Sequence, residues 1–360
     1  MRVRTRKNRA LAASAVVLGL TLAATGCSGD PGDDKDSITV AMGHEAPYPG
    51  EEAILYAVPK RLGLFDDYGI EVSYMPTSGS SVAVQLVQAG KADLGQGNPS
   101  SVMAAINKGV DIKIVYNLIP EYGSGLAVLE DSAIRSPEDL AGKTVGVASL
   151  SSSRLPEAKA MAEEAGVGDD VEFVAVGIGA QAANALTSGK VDGLYLWDAA
   201  YQAIELSGTD LRVMDDVFSD AGMLLDFVEY ASTDAIKEKS DAIEKLGRAG
   251  AVAQEWAKQN PEKALDMFYA EFPNAKSDDA GRARDLEILK ATIAQYDPAN
   301  AGQQDYGYTP EDRAEATAAF LAKYDLIPEA LPVADYVDNS LVPAYNDFTA
   351  EDVSAAGTSK

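Results

Sequence analysis

The chain has 360 residues, with 56 acidic and 30 basic side chains, a formal net charge of −26, one histidine and one cysteine. So acidic a surface repels phosphate backbones and anionic headgroups, which argues against nucleic acid as a partner, and a lone cysteine excludes an internal disulfide. One histidine without a usable thiol builds neither a conventional zinc site nor, in the absence of a G-x-S-x-G turn, a serine triad, so no metal and no cofactor are expected.

Arg2, Arg4, Arg6, Lys7 and Arg9 precede an uncharged apolar run over 10–24, and small residues then lead to Cys27. That order predicts an export leader over 1–26, with an apolar run shorter than the ~20 residues a spanning helix needs. The flank Leu22-Ala23-Ala24-Thr25-Gly26-Cys27 resembles a bacterial lipobox, with Ala24 where leucine is usual. It predicts acylation of Cys27 and an extracytoplasmic, lipid-anchored chain; an uncleaved anchor is the alternative. Residues 27–36 are polar and read as a flexible tether. Without the leader's +5 the remaining charge is −31.

Beyond the tether, short apolar strands alternate with helices. Strands are predicted at 38–42, 70–74, 92–96 and 112–118. Helices are predicted at 51–62 (kinked or ended near Pro59), 80–89 and 99–107, the last with Asn98 as cap and Pro99 in its first turn. The pattern restarts at the capping sequence Ser136-Pro137-Glu138-Asp139. Strands at 144–148, 171–176 and 191–196 follow, with helices at 154–164 and 181–188. This alternation predicts a parallel α/β architecture. Gln88-Ala89-Gly90-Lys91-Ala92-Asp93-Leu94 is echoed by Thr187-Ser188-Gly189-Lys190-Val191-Asp192-Gly193, and the repeat of both motif and context predicts two similar lobes. From about Asp220 the chain turns to alanine- and glutamate-rich helices, with caps at Ser240, Asn260 and Thr309 and with Trp256 in an apolar stripe. These helices are expected to pack on the first lobe, and the tail after Phe348 is expected to fray.

In α/β lobes, ligands gather outside the carboxyl ends of the strands. Four such places carry small or polar residues: Ser78-Gly79-Ser80-Ser81, Asn98-Pro99-Ser100-Ser101, the turn Ser149 to Arg154 with Ser151 and Ser152, and Gly177 to Gln181. Each offers helix-start amides; alone, each is equally a simple cap. Asn117 joins the candidates, with Tyr48, Tyr116, Tyr122, Tyr195 and Trp197 as aromatic walls. Trp197 beside Asp198 either lines a cleft or packs beneath it. Arg154, misplaced against a helix dipole, pairs either with a bound anion or in a surface ion pair. The acid pairs Asp33-Asp34, Asp66-Asp67, Asp169-Asp170, Asp215-Asp216 and Asp278-Asp279 read as solvated charge.

Together the segments Leu62-Gly63-Leu64-Phe65, Tyr68-Gly69-Ile70-Glu71-Val72, Ala89 to Leu94, Glu138 to Val147, Ser188 to Gly193 and Trp256-Ala257 before Asn260-Pro261-Glu262 carry a likeness. Over roughly 38–260 the chain resembles the sulfonate, nitrate and taurine type of ABC solute-binding protein, in the superfamily of the thiamine-pyrimidine-precursor binders. The resemblance implies a two-lobe periplasmic-binding-protein type II fold. Lobe 1 would span 37–125 plus 223–350 and lobe 2 would span 126–222, with a tail over 351–360 and a hinge between the lobes. It implies a monomeric, non-enzymatic receptor that hands a small organic molecule, of the sulfonate, carboxylate or heteroaromatic class, to an ABC permease and its ATPase. Ligand contacts would fall at His44, Glu45 and Tyr48, at Ser80, Asn98 and the Ser151-Ser152 turn, and at Gln181, Trp197 and Asp198. The departure lies in Gly43-His44-Glu45-Ala46-Pro47-Tyr48, whose acid and histidine a simple sulfonate receptor does not need; with Asp198 they suit a cation or an amine- or amide-bearing ring. Some relatives are enzymes that use a cysteine-rich iron motif or a cysteine nucleophile, and this chain has neither. A sensor subunit and a carboxylate enzyme using Glu45 with Asp198 are the alternatives.

Overall fold

The computed structural model describes residues 36–44, 47–120, 123–150, 152, 154–214, 217 and 224–357. The leader, Cys27, the tether through residue 35, Glu45, Tyr122, Ser151 and the Asp215-Asp216 pair lie outside the described residues.

Among the described residues, ten strands form two five-stranded sheets. They are β1 (Asp36–Ala41), β2 (Ile70–Met75), β3 (Leu94–Gly97), β4 (Ile112–Ile119), β5 (Ser124–Leu129), β6 (Thr144–Val147), β7 (Glu172–Ala175), β8 (Gly193–Trp197), β9 (Leu211–Met214) and β10 (Phe227–Ser232). The sheet orders are β2-β1-β3-β10-β4 and β7-β6-β8-β5-β9. In each, three parallel strands are followed by one that runs antiparallel to both its neighbours: β10 in the first sheet and β5 in the second. The chain leaves the first sheet after β4, builds the whole second sheet, and returns as β10. Parallel strands covered on both faces must be apolar throughout, and Ile38, Val40, Leu94, Val145 and Leu194 are all fully buried.

The echoed motif does the same work in both sheets. Gly90 and Gly189 end their helices with φ of +63° and +71°, a conformation that favours glycine. The aspartate that follows then pins the neighbouring strand. Thr39 N–H donates to Asp93 Oδ2 at 2.8 Å and Thr144 N–H to Asp192 Oδ2 at 2.9 Å. In return the Asp93 and Asp192 amides donate to the Thr39 and Thr144 carbonyls, both at 2.8 Å.

Three strands were not anticipated: β5, β9 and β10. β10 falls where only helices were expected, because Glu229 interrupts its apolar run although it is buried. The kink near Pro59 takes a definite form. A π-helical turn at Ala53–Ala57 leads into the helix Val58–Leu62. Proline has no N–H to give the Leu55 carbonyl, and the Tyr74 hydroxyl donates to that carbonyl instead at 3.1 Å.

The long helices Ser240–Gln259, Pro261–Glu271 and Asp279–Gln295 share a core with the first sheet, and Trp256 packs against it. A later helix, Glu311–Lys323, packs as expected on the first-lobe helix Pro99–Ile106 and also reaches the second lobe, where Lys323 lies 3.7 Å from Glu164. Ser136 forms the expected capping box with Asp139. Ser240, Asn260 and Thr309 stand at helix starts but make no capping bond there; the Asn260 amide instead donates back to the Trp256 carbonyl at 3.1 Å. The tail does not fray after Phe348. Thr349 and Asp352 form a capping box for a helix, Ala350–Ala355, whose Val353 is buried against the first core. Among the described residues no helix is long and apolar enough to cross a membrane.

Candidate functional site

At the carboxyl edge of the first sheet, β1 runs into Gly43 and His44. A side chain at 43 would sit 3.0 Å from the Phe227 ring and 3.1 Å from the Gln96 carbonyl, a tight fit that makes its neighbours give way. The loop is then fixed by Thr77, whose N–H donates to the His44 carbonyl at 3.0 Å and whose hydroxyl donates to the Met42 carbonyl at 2.7 Å. The π-helical turn presents Glu51 and Glu52 just before its first residue. His44 Nε2 hydrogen-bonds to Glu51 and lies 2.9 Å from Glu52 Oε1. The Tyr296 hydroxyl donates to Glu51 Oε2 at 2.6 Å, and the Tyr48 N–H to Glu52 Oε2 at 3.2 Å. The Tyr48 ring meets the imidazole edge-on, centroids 5.6 Å apart. Burial alone would lower the His44 pKa, but the two carboxylates outweigh it and raise it to about 11. Burial pushes the Glu52 carboxyl up, against the pull of His44.

A second polar group joins the two lobes. Asp226, just before β10, is 1% exposed. It pairs with Arg154 Nη2 from the first residue of the second-lobe helix Arg154–Glu164 and accepts the Gly123 N–H at 3.1 Å. Arg154 Nη1 holds Glu157 at 3.0 Å. On the first-lobe side, the Asn98 amide donates to the Asp226 carbonyl at 3.0 Å, and the Ser80 hydroxyl accepts the Asn98 N–H at 3.2 Å. Ser80, Asn98, Asp226, Arg154 and Glu157 therefore form one buried chain across the lobes, fed by helix starts from both sheets.

Residues 52–264 match the family described as NMT1/THI5 like, more than half of the chain. The chain belongs to the NMT1/THI5-like family. It is 23% identical over 224 residues to the formylaminopyrimidine-binding protein of Halalkalibacterium halodurans, covering 61% of this chain and 67% of that one. It is 26% identical over 245 residues to the 4-amino-5-hydroxymethyl-2-methylpyrimidine phosphate synthase of Candida albicans, covering 62% and 69%. Among solved structures, the alkanesulfonate-binding protein of Xanthomonas axonopodis pv. citri, bound to MOPS, superposes with a TM-score of 0.62 at 16% identity, covering 84% of this chain and 98% of that one. The fold is the two-lobe α/β fold of periplasmic binding proteins.

In this NMT1/THI5-like chain, the residues anticipated from sequence fall into three groups. His44 and Tyr48 meet at the first edge; Ser80, Asn98 and Arg154 meet in the cross-lobe chain, while Ser152 accepts the Arg154 N–H at 3.2 Å and so caps the helix start. Arg154 is neither at the surface nor turned outward: Glu157 and Asp226 hold it at 6% exposure. Asn98 stands at a cap position, yet its side chain spans to Asp226 rather than capping.

Of the remaining candidates, Asp198 adjoins the cross-lobe chain through Gly123, whose carbonyl accepts the Asp198 N–H and whose own N–H goes to Asp226. Ser81 is exposed and meets Ser101 at 3.4 Å. Gln181 is exposed, with its Oε1 folded over Gly177. Trp197 is half-buried against the second core, and Asp198 is exposed at a helix start beside Gly123. Asn117 is 2% exposed, and its side-chain amide meets no hydrogen-bond partner among the described residues. Sequence reading missed Asp226, Glu157, Glu51, Glu52 and Tyr296. The adjacent acids seven and eight positions after the lone histidine were the available signal. They also undo the argument that one histidine leaves no donor set for a metal, since carboxylates are ligands too.

Proposed function

We propose that this chain is an extracytoplasmic solute receptor: it captures a small organic molecule between its lobes and delivers it to an ABC permease and its ATPase. The observation that carries the reading is the cross-lobe chain, in which helix starts from both sheets converge on one buried polar line. Lipid anchoring through Cys27, a monomeric state and the two-lobe boundaries given above belong to the same proposal.

The chemistry favours an amine-bearing heteroaromatic solute over a sulfonate. A sulfonate needs donors to spare, and Arg154 is already engaged by two carboxylates. The exposed carboxylate of Asp198 and the rings of Tyr48 and Trp197 suit a flat molecule that donates hydrogen bonds. The relative named for formylaminopyrimidine binding supports this class, and the one named as a pyrimidine synthase shares the heterocycle. A thermal-shift panel of aminopyrimidines, other amino-heteroaromatics and alkanesulfonates tests it. A ligand bound only by the folded state adds about 2.7 kcal/mol at a hundredfold excess over Kd, so one heteroaromatic is expected to raise Tm by several degrees without being turned over. A rise with sulfonates alone would overturn the ligand class, and conversion of a bound compound would favour the enzyme alternative.

A further inference from the structure

Glu51 and Glu52 are 5% and 3% exposed, and both carboxylates turn toward one imidazole nitrogen. Neighbours fix the far oxygen of each: Tyr296 holds Glu51 Oε2, and the Tyr48 amide holds Glu52 Oε2. The two Oε1 atoms are thereby aimed at His44 Nε2. A ring nitrogen carries at most one hydrogen, and that hydrogen serves Glu51. Glu52 Oε1, though 2.9 Å from the same nitrogen, is buried and meets no hydrogen-bond partner among the described residues. A buried carboxylate oxygen without a donor is costly. A divalent cation that takes the place of the Nε2 hydrogen, which is released to solvent, removes that cost, and the three ligand atoms lie within 4.8 Å of one another.

We propose that His44, Glu51 and Glu52 bind a divalent transition-metal ion of the zinc class. The imidazole selects this class, since magnesium and calcium take oxygen ligands in larger number. The hydrogen bonds from Tyr296 and Tyr48 orient the carboxylates, as contacts behind metal ligands do. Three protein ligands leave a coordination position open, and half-exposed His44 stands at the sheet edge where strand ends meet the solute in this architecture. The site goes beyond solute capture and is tested separately from it.

The test uses the full-length protein, stripped with chelator and equilibrated with Zn²⁺ alone, with bound metal measured by mass spectrometry and Co²⁺ substituted for absorption spectra. One Zn²⁺ per chain is expected, with Mg²⁺ and Ca²⁺ failing to compete and no thiolate-to-Co²⁺ band. His44→Gln and Glu52→Gln are each expected to weaken binding at least tenfold, and a Zn²⁺-induced rise in Tm is expected in the parent and in neither variant. No bound Zn²⁺, binding unchanged in both variants (an adventitious ion only), or a thiolate band pointing to Cys27 would each overturn the proposal.

Discussion

Glu229 is the residue whose environment disagrees most with its chemistry. It sits on a central strand between β3 and β4, and the side-chain donor it meets is Gln96 Nε2 at 3.2 Å. Burial raises its pKa to about 7, against the smaller opposing pull of that hydrogen bond. The unfolded value is near ~4.3, so between these two values the folded chain holds more protons than the unfolded one. The contribution to stability is complete below about pH 4.3 and is lost as pH rises through 7. Glu229→Gln mimics the protonated form. The variant is expected to match the parent near pH 4.5 and to be more stable at pH 8, by on the order of 3 kcal/mol. Denaturant midpoints at the two pH values check this, and an unchanged difference between parent and variant across that range would show that Glu229 ionises as freely folded as unfolded.

At the scale of elements, much of the fold was legible because doubly covered parallel strands leave runs of apolar residues, and helices leave caps and glycine stops. The echoed Gly-Lys-x-Asp was legible as a repeat, although its job, tying the strand's start to its neighbour, was visible only in three dimensions. Asp93→Ala and Asp192→Ala are each expected to cost about 1–2 kcal/mol by orphaning a strand amide. The ion pairs of Asp93 with Lys239 at 2.8 Å and of Asp192 with Lys143 at 3.4 Å are partly exposed and add little. Equilibrium denaturation of both variants measures this; a cost confined to Asp93 would mean that the equivalence is one of sequence alone. The illegible elements share a physical cause. β10 hides a charged residue in its interior, and β5 opens with Ser124-Gly125, which read as loop. The site was illegible for a related reason. Glu51 and Glu52 look like the ordinary solvated acids of a helix start until Tyr296, from a helix more than two hundred residues away, closes over them.

At the scale of the whole molecule, the Arg154–Asp226 pair ties a helix start of the second lobe to the residue just before β10 of the first sheet. Both partners are buried, and Asp226 also accepts the Gly123 N–H. A charged hydrogen bond of this kind is worth roughly 1.5–3 kcal/mol, which shifts an open-to-closed equilibrium by about one to two orders of magnitude. Asp226→Asn keeps an oxygen for the Gly123 N–H and removes the charge, while Glu157 continues to hold Arg154. The variant is therefore expected to fold, to open in the absence of solute, and to close again when solute is bound. Small-angle scattering measures this as a larger radius of gyration than the parent's without solute and an equal one with it. Solute affinity is expected to fall by the factor by which the closed fraction falls, because binding must then supply the closure the ion pair had provided. Identical scattering from parent and variant without solute would show that the pair stabilises one lobe rather than the relation between two.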